Sequence, residues 1–419
     1  MTSLLRTLAP WVLIIIVMAL APRVFPSGTA LTMMSVMGTM IIFALSYNML
    51  LGQTGLLSFG HAVYYGLGGF VAIHAMNIIA HGKLPVPIPV IPLIGGIGGL
   101  FFGIIFGLLS TRRAGLSFAM ISLGLGELVG SSSFILRSFF GGEEGITTNR
   151  TKLAPFFGHK FGPQIEVYYL IAAWCFVCVV AMYALTRTPF GRMCNAVREN
   201  PERVQFIGYS PQRVRFIAMC LAGLFAGIAG GLAAIHFEIM NSESLRALQS
   251  GQVLLMAYVG GVGYFAGPIV GAMIISFLQI TLSDVTSAWQ LYFGLLFIVV
   301  VLFSPGGVLG WIMLHEEVVR RGEVWRLLPS YGLTAVPIAA GLAGLIMLIE
   351  LGHRVLVEGQ SEGTAMRLFG VATNAASFTP WLIAVVLLVI GLIGGRLAWP
   401  FVTAAWNDIH QRRLKKVLA

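Results

Sequence analysis

The sequence predicts an all-α, polytopic helical membrane protein, and three observations carry that prediction. Hydrophobic residues make up 57% of the chain and charged residues only 10%. Apolar runs recur along it, most of them long enough to cross a hydrocarbon core of about 30 Å as a helix. The arginines gather between those runs, as they do in short cytoplasmic loops. A chain in lipid must satisfy its backbone within each span, so every run is expected to be helical.

In chain order, spans are expected near residues 10–25, 30–50, 60–80, 89–109, 116–138, 166–186, 215–238, 288–304, 333–351 and 378–398. With residues 251–281 added, the total comes to about ten to twelve transmembrane helices. The first run follows Arg6 and ends in "ALA" at residues 19–21, which imitates a signal peptide. Pro22 follows at once and is a poor start for a mature chain, so the run is expected to stay as the first helix. Arg112 and Arg113 mark one cytoplasmic turn, and Arg187, Arg192, Arg198, Arg203, Arg213 and Arg215 mark a second. Arg320, Arg321 and Arg326 mark a third, and Arg412, Arg413, Lys415 and Lys416 form a basic tail. Both termini are then cytoplasmic and residues 139–165 lie outside. The formal charge of +10 thus reports topology, and nucleic-acid binding is not expected.

Parity governs residues 251–281, "GQVLLMAYVGGVGYFAGPIVGAMIISFLQIT". Residue 239 is outside and 305 inside, and the span at 288–304 already supplies the one crossing needed. The segment must therefore cross twice or dip in and return. As one straight helix it would run about 46 Å, well over the core thickness. Gly260, Gly261, Gly263 and the Gly267–Pro268 pair are where it is expected to break.

Other glycines have a packing role. Gly95, Gly99, Gly103 and Gly107 recur every fourth residue, as do Gly223, Gly227 and Gly231, so each set lines one helix face and admits a close neighbour. The stretch "GQTGLLSFGHAVYYGLGGFVA" at residues 52–72 differs. Gly52, Gly55 and Gly60 do not keep that spacing, and Gln53, Thr54, Ser58 and His61 stand among them, with Asn48 just before. A broken or re-entrant helix near 52–60 that lines a cavity is expected.

The segment at 187–215 has its own start and stop signals. Asn200 is a natural N-cap, Pro201 suits the first helical position, Glu202 faces the positive end of the dipole, and Gly208 supplies a left-handed exit. Ser210 and Pro211 repeat the start signal. Such a short capped helix is either a solvated connector or a docking element for a cytosolic partner.

Little points to catalysis. Cys175 and Cys178 form a C-x-x-C inside a span without a second ligand pair, and with Cys194 and Cys220 they make no disulfide framework. "HEE" at 315–317 lacks the second histidine of a zinc helix and reads as a solvated loop, so no metal site is expected. Ser58, His61 and Glu127 could be drawn as a triad, but no nucleophile elbow accompanies them.

"YNMLLGQTGLLSFGHAVYYGLGGF", "RRAGLSFAMISLGLGELV", "FFGGEEGI", "GRMCNAVRENPERVQFIGY" and "LLMAYVGGVGYFAGPIVGA" follow one another over residues 30–310. In order and spacing they resemble the permease subunits of branched-chain amino-acid ABC importers, of the Liv type that carries G-x-x-G-x-x-S-x-G-H-A. The resemblance implies a permease transmembrane domain over 1–310, with 187–215 as its cytoplasmic coupling loop and 311–419 as an accessory extension of two spans and a basic tail. It implies as partners two ABC ATPase subunits, a second homologous permease and an extracytoplasmic binding protein, in a bacterial inner membrane. ATP would sit on the partner subunits and no cofactor on this chain. None of the lysines, Lys83, Lys152, Lys160, Lys415 and Lys416, lies in a G-x-x-x-x-G-K-[ST] loop.

On that resemblance Asn48, Gly52, Gln53, Thr54, Gly55, Ser58, Gly60 and His61 are expected along the substrate path, where neutral hydrogen-bonding groups replace a solute's hydration. Arg198, Glu199, Asn200, Pro201, Glu202, Arg203 and Gly208 are expected at the ATPase contact. Glu127, the one carboxylate clearly inside a span, is expected to face protein or the cavity and to bond a neighbouring span. Branched-chain amino acids are the expected cargo, with urea, amides and small aromatic or carboxylic acids as the family's alternatives. An ion-coupled transporter is the chief rival, and it would need more intramembrane charge than Glu127 supplies.

Overall fold

The computed structural model describes residues 2–82, 85–304, 306–320, 322–358 and 363–418. Lys83 and Arg321, and the side chains of Arg6, Arg412, Arg413, Lys415 and Lys416, lie outside the described residues. The chain forms two compact units, one of Met1–Leu282 with Leu295–Gly310 and one of Ser283–Gly294 with Trp311–Ala419.

Eight helices among the described residues are long and apolar enough to cross a membrane, or nine if one bent pair counts as a span. The shorter apolar helices Ala9–Val24 and Gly267–Ser283 account for further expected runs. In the first unit the order is α1 (Thr2–Val24), α2 (Gly28–Thr54), α3 (Ala62–Gly82), α4 (Ile91–Ser110), α5 (Leu116–Ile135) and the single turn α6 (Arg137–Phe140). Then come α7 (Gln164–Arg187), α8 (Pro189–Glu199), α9 (Pro201–Phe206), α10 (Pro211–Phe237), α11 (Ala247–Gly260) and α12 (Gly267–Ser283).

The core is α10 held between α3 and α4. Glycine makes the approach possible, since an added Cβ at Gly95 would stand 2.7 Å from the Gly227 carbonyl and one at Gly223 2.7 Å from that of Gly99. As residue numbers rise along α4 they fall along α10, so the pair is antiparallel. Without a hydrophobic force between spans, such backbone contact is what holds them.

Residues 251–281 turn back on themselves. α11 ends at Gly260, Gly261 takes φ +112°, and α12 starts at Gly267–Pro268. Gly260 packs on Gly267, and Gly271 on Met256, so the two short helices are antiparallel. At 14 and 17 residues they reach only about 21 and 26 Å.

At the end of the bundle remote from α8 and α9, a knot centres on Arg150, which the sequence did not single out. Its guanidinium donates to the carbonyls of Phe161 at 2.8 Å, Gly162 at 3.1 Å, and Ile235 and His236 at 3.2 Å. Its backbone N–H donates to Oε1 of Glu238 at 2.8 Å. The two-residue strands β1 (Ile146–Thr147) and β2 (Ile239–Met240) pair antiparallel beside it.

The second unit holds the start of α13 (Trp289–Phe303), most of α14 (Gly307–Arg320), α15 (Leu328–His353) and α16 (Phe378–Leu418). α15 and α16 approach closely, since a Cβ at Gly344 would lie 2.6 Å from the Ala384 carbonyl. A hairpin of β3 (Ala365–Leu368) and β4 (Val371–Asn374) joins them and places Leu368 in a core with Met347, Leu351, Ala375 and Ala384. Glu350 accepts from Tyr292 Oη at 2.8 Å and Thr286 Oγ1 at 3.2 Å. "HEE" is no solvated loop but part of α14. His315 stacks on Trp311 and meets Tyr331 Oη at 2.8 Å, because an aromatic cluster with Trp406 offers it both packing and a partner.

Candidate functional site

α2 stops because Gly55 turns left-handed at φ +71°, a conformation that costs glycine little, and its N–H reaches back to the Leu50 and Leu51 carbonyls. Residues 55–61 then run without α-helix until α3 starts at Ala62. This unwound stretch is enclosed. Phe59 N–H donates to Ser122 Oγ of α5 at 3.0 Å, and Ala62 N–H donates to Ser250 Oγ of α11 at 3.0 Å. Gly60 packs so tightly on the Ser122 carbonyl that a side chain there would collide with it. Irregular backbone at this depth is tolerated only when it is buried in protein or lines a cavity.

His61 is fully buried and its Nε2 lies 3.0 Å from Ser46 Oγ. Ser46 spends its one proton on the Phe43 carbonyl at 2.7 Å, so it accepts from His61. Nε2 therefore carries a proton, and the ring stacks on Phe43. Among the described residues Nδ1 has no hydrogen-bond partner, and neither do Tyr47 Oη, Asn48 Oδ1 and Ser58 Oγ, all buried. An unpaired buried polar atom costs about 1–3 kcal/mol, so four along one short stretch mark a place built for something other than maximum stability.

The expected path residues do not all behave alike. Thr54 is buried and back-bonds to the Leu50 carbonyl of its own helix at 2.7 Å. Gln53 is half-buried and Gly55 exposed, whereas Asn48, Gly52, Ser58, Gly60 and His61 are inside the protein. The two chain breaks meet, since a Cβ at Gly52 would lie 2.7 Å from the Val262 carbonyl. Of the glycines at the second break, Gly260, Gly261 and Gly267 are closely packed, and a Cβ at Gly263 would meet open space.

The 187–215 segment holds two helices. Before the expected one comes α8, capped by Thr188, whose Oγ1 accepts from Gly191 N–H at 3.3 Å. Thr188–Pro189 carried that signal in the sequence. α8 buries Gly191, Cys194 and Val197, and burial pushes the Cys194 thiol up to about 12. α9 follows with Asn200 Oδ1 accepting from Arg203 N–H at 2.9 Å, Pro201 at its first position, and Gly208 at φ +88°. Glu199, Glu202 and Arg203 are exposed, and so are Phe206, Ile207 and Tyr209. Arg198 is exposed as well, yet it also reaches inward. Its guanidinium donates to the Gly52 carbonyl, and its stem packs on Gly55. The end of α2 leaves carbonyls unsatisfied, and a charged donor on α8 takes one of them.

Glu127 departs from expectation in its bonding. It bonds no neighbouring span, and among the described residues it has no hydrogen-bond or ion-pair partner. α5 buries Phe118, Ser122, Gly126, Val129 and Ser133, and one step round the helix from Gly126 points Glu127 outward. A cavity of about 480 Å³ lies elsewhere, against the first turns of α7, lined by Phe156, Phe161, Tyr169, Trp174 and Val177 among others. Its lining is mostly apolar, and its polar members His159 and Glu166 are paired with each other at 2.9 Å.

Residues 29–304 match the family model of the branched-chain amino acid transport system permease component. The chain belongs to that family. It is a membrane permease, a transport subunit. It is 26% identical over 293 residues, 64% of this chain and 67% of the relative, to the high-affinity branched-chain amino acid transport system permease protein LivM of Escherichia coli K12. Against the permease protein BraD of Pseudomonas aeruginosa the identity is 23%, covering 66% of this chain and 93% of the relative. The fructose import permease protein FrcC of Rhizobium meliloti is 28% identical over 231 residues, 51% of this chain and 62% of its own. No solved structure matches the permease.

Proposed function

We propose that this permease is the membrane subunit of an ABC importer that moves branched-chain amino acids across a bacterial inner membrane. It works with two ATPase subunits, a second homologous permease and an extracytoplasmic binding protein, and its 187–215 segment and both termini face the cytoplasm. Family membership supports the transport role, and the names of its relatives favour the cargo. The observation that carries the mechanism is the contact of Arg198 with the Gly52 carbonyl. It joins the two capped cytoplasmic helices to the end of α2 and the unwound stretch, which together hold the unpaired polar atoms. A partner that shifts α8 and α9 therefore pulls on the end of α2 and on residues 55–61 through a short, stiff connection. The unpaired hydroxyl, amide and imidazole groups then offer a dehydrating solute neutral partners without holding it tightly.

The test is uptake into proteoliposomes holding the assembled importer, with labelled leucine competed by urea, aromatic acids and fructose. Uptake of leucine that needs both ATP and the binding protein is expected. Leucine uptake driven by an ion gradient without ATP would transfer the chain to the ion-coupled class, and preferential uptake of a competitor would change the cargo.

A further inference from the structure

Glu127 sits near the middle of the 20-residue span α5 with its carboxylate exposed and unpartnered among the described residues. α5 is the least enclosed span of the first unit, with 33% of its apolar window buried against 44–78% for the others. Its exposed positions Met120, Gly124, Glu127, Leu128 and Ser131 fall at helical spacing on one face, which mixes a carboxylate and small residues with Met120 and Leu128. The open stripe of α4 is different, since Leu93, Ile97, Phe101, Ile104 and Leu108 are all large and apolar. The α4 stripe suits hydrocarbon. The α5 stripe does not, because an intramembrane carboxylate belongs beside water or a cation. Next to Glu127, Gly126 packs on Gly60 and Ser122 holds Phe59, so α5 is clamped to the unwound stretch on one side and carries its carboxylate on another.

We propose that Glu127 lines the solute path and is the counter-charge for the ammonium group of the transported amino acid. The inference rests on the amino-acid cargo read above. A carboxylate recognises ammonium by charge-assisted hydrogen bonds, while the neutral groups around residues 47–61 suit the rest of a zwitterion. Because Gly126 is braced on Gly60, a change in the unwound stretch also moves Glu127, so the charge can be offered and withdrawn within the cycle.

The test uses the complete importer in proteoliposomes with Glu127→Gln, Glu127→Asp and Glu127→Cys. All four native cysteines are buried, so an introduced thiol can be read against them. Leucine uptake is expected to fall about ten-fold or more in Glu127→Gln, the size of one lost charge-assisted hydrogen bond, with assembly of the importer intact. Glu127→Asp should recover part of the loss. The thiol of Glu127→Cys should react with a permanently charged methanethiosulfonate, and leucine with binding protein should slow the reaction. No reaction in any nucleotide state would overturn the inference, as would wild-type leucine uptake by Glu127→Gln. Should the wild-type importer carry a solute without an amine and Glu127→Gln impair it equally, Glu127 pairs with the second permease and the counter-charge role is lost. Failure of wild-type leucine uptake alone would instead count against the cargo reading.

Discussion

At Gly60 a single methyl group decides between fit and collision. Gly60→Ala would drive a Cβ into the Ser122 carbonyl, and overpacking of this kind costs about 1–3 kcal/mol. A lower thermal midpoint in detergent, with reduced yield of folded protein, is the expected result. Gly263→Ala is the control within the second break, since open space surrounds that position and its backbone is not left-handed. It should match the wild type in the same melt. Arg150 makes the strongest structural prediction at this scale. Hydrogen bonds to a charged group contribute about 1.5–3 kcal/mol each, and Arg150→Ala removes its guanidinium from four carbonyls. Limited proteolysis of the 137–162 loop should speed up markedly. Unchanged cleavage would show that β1 and β2 hold that loop without it.

Helices α8 and α9 act as a pair. α8 is anchored by its buried Gly191, Cys194 and Val197 and by Arg198, while α9 presents charge and the apolar Phe206, Ile207 and Tyr209. Arg198→Ala would cut the connection to Gly52 while leaving Glu199, Glu202 and Arg203 in place. ATP turnover with the ATPase subunits should persist while uptake falls, and uptake equal to the wild type would remove Arg198 from the proposed linkage. Gly208→Val works differently, because φ +88° is a conformation a β-branched residue adopts only under strain, though no atom crowds the position. Insertion into the membrane should survive and coupling should not. Glu202→Lys tests the exposed charge of α9 in the same assay, with weaker or uncoupled association expected because charge sets register at such contacts.

Across the whole molecule, the compact units do not divide at a single cut. Residues 283–294 group with 311–419, and Tyr292 and Thr286 both donate to Glu350. A chain ended after Gly310 would therefore keep residues 283–294 without the unit they pack in. Hydrogen exchange should show the first turns of α13 losing protection while α3, α4 and α10, locked by backbone contact at glycines, stay protected. Equal protection at the start of α13 in the shortened and full chains would mean that this helix needs no support from the second unit.

Composition and periodicity by themselves determined the membrane class, the helical spans, the glycine stripes of α4 and α10, the cap chemistry at Asn200, Pro201 and Gly208, and the breaks near Gly55 and Gly260. Each of these is local, set by residues within a turn or two or by the need to satisfy backbone within a span. The first turn of α8 was equally local, and its Thr188–Pro189 start was legible. The short strand pair at 365–374 was not, because four alternating residues on each side carry too little pattern to outweigh the surrounding helices. Only the tertiary structure decided that Arg198 caps the end of α2, that the two breaks meet at Gly52 and Val262, that Arg150 gathers four carbonyls, and that Glu127 points away from its own chain. Those outcomes join residues separated by as many as 210 positions, and which carbonyl or glycine a side chain meets depends on how spans cross, which no single span's pattern encodes.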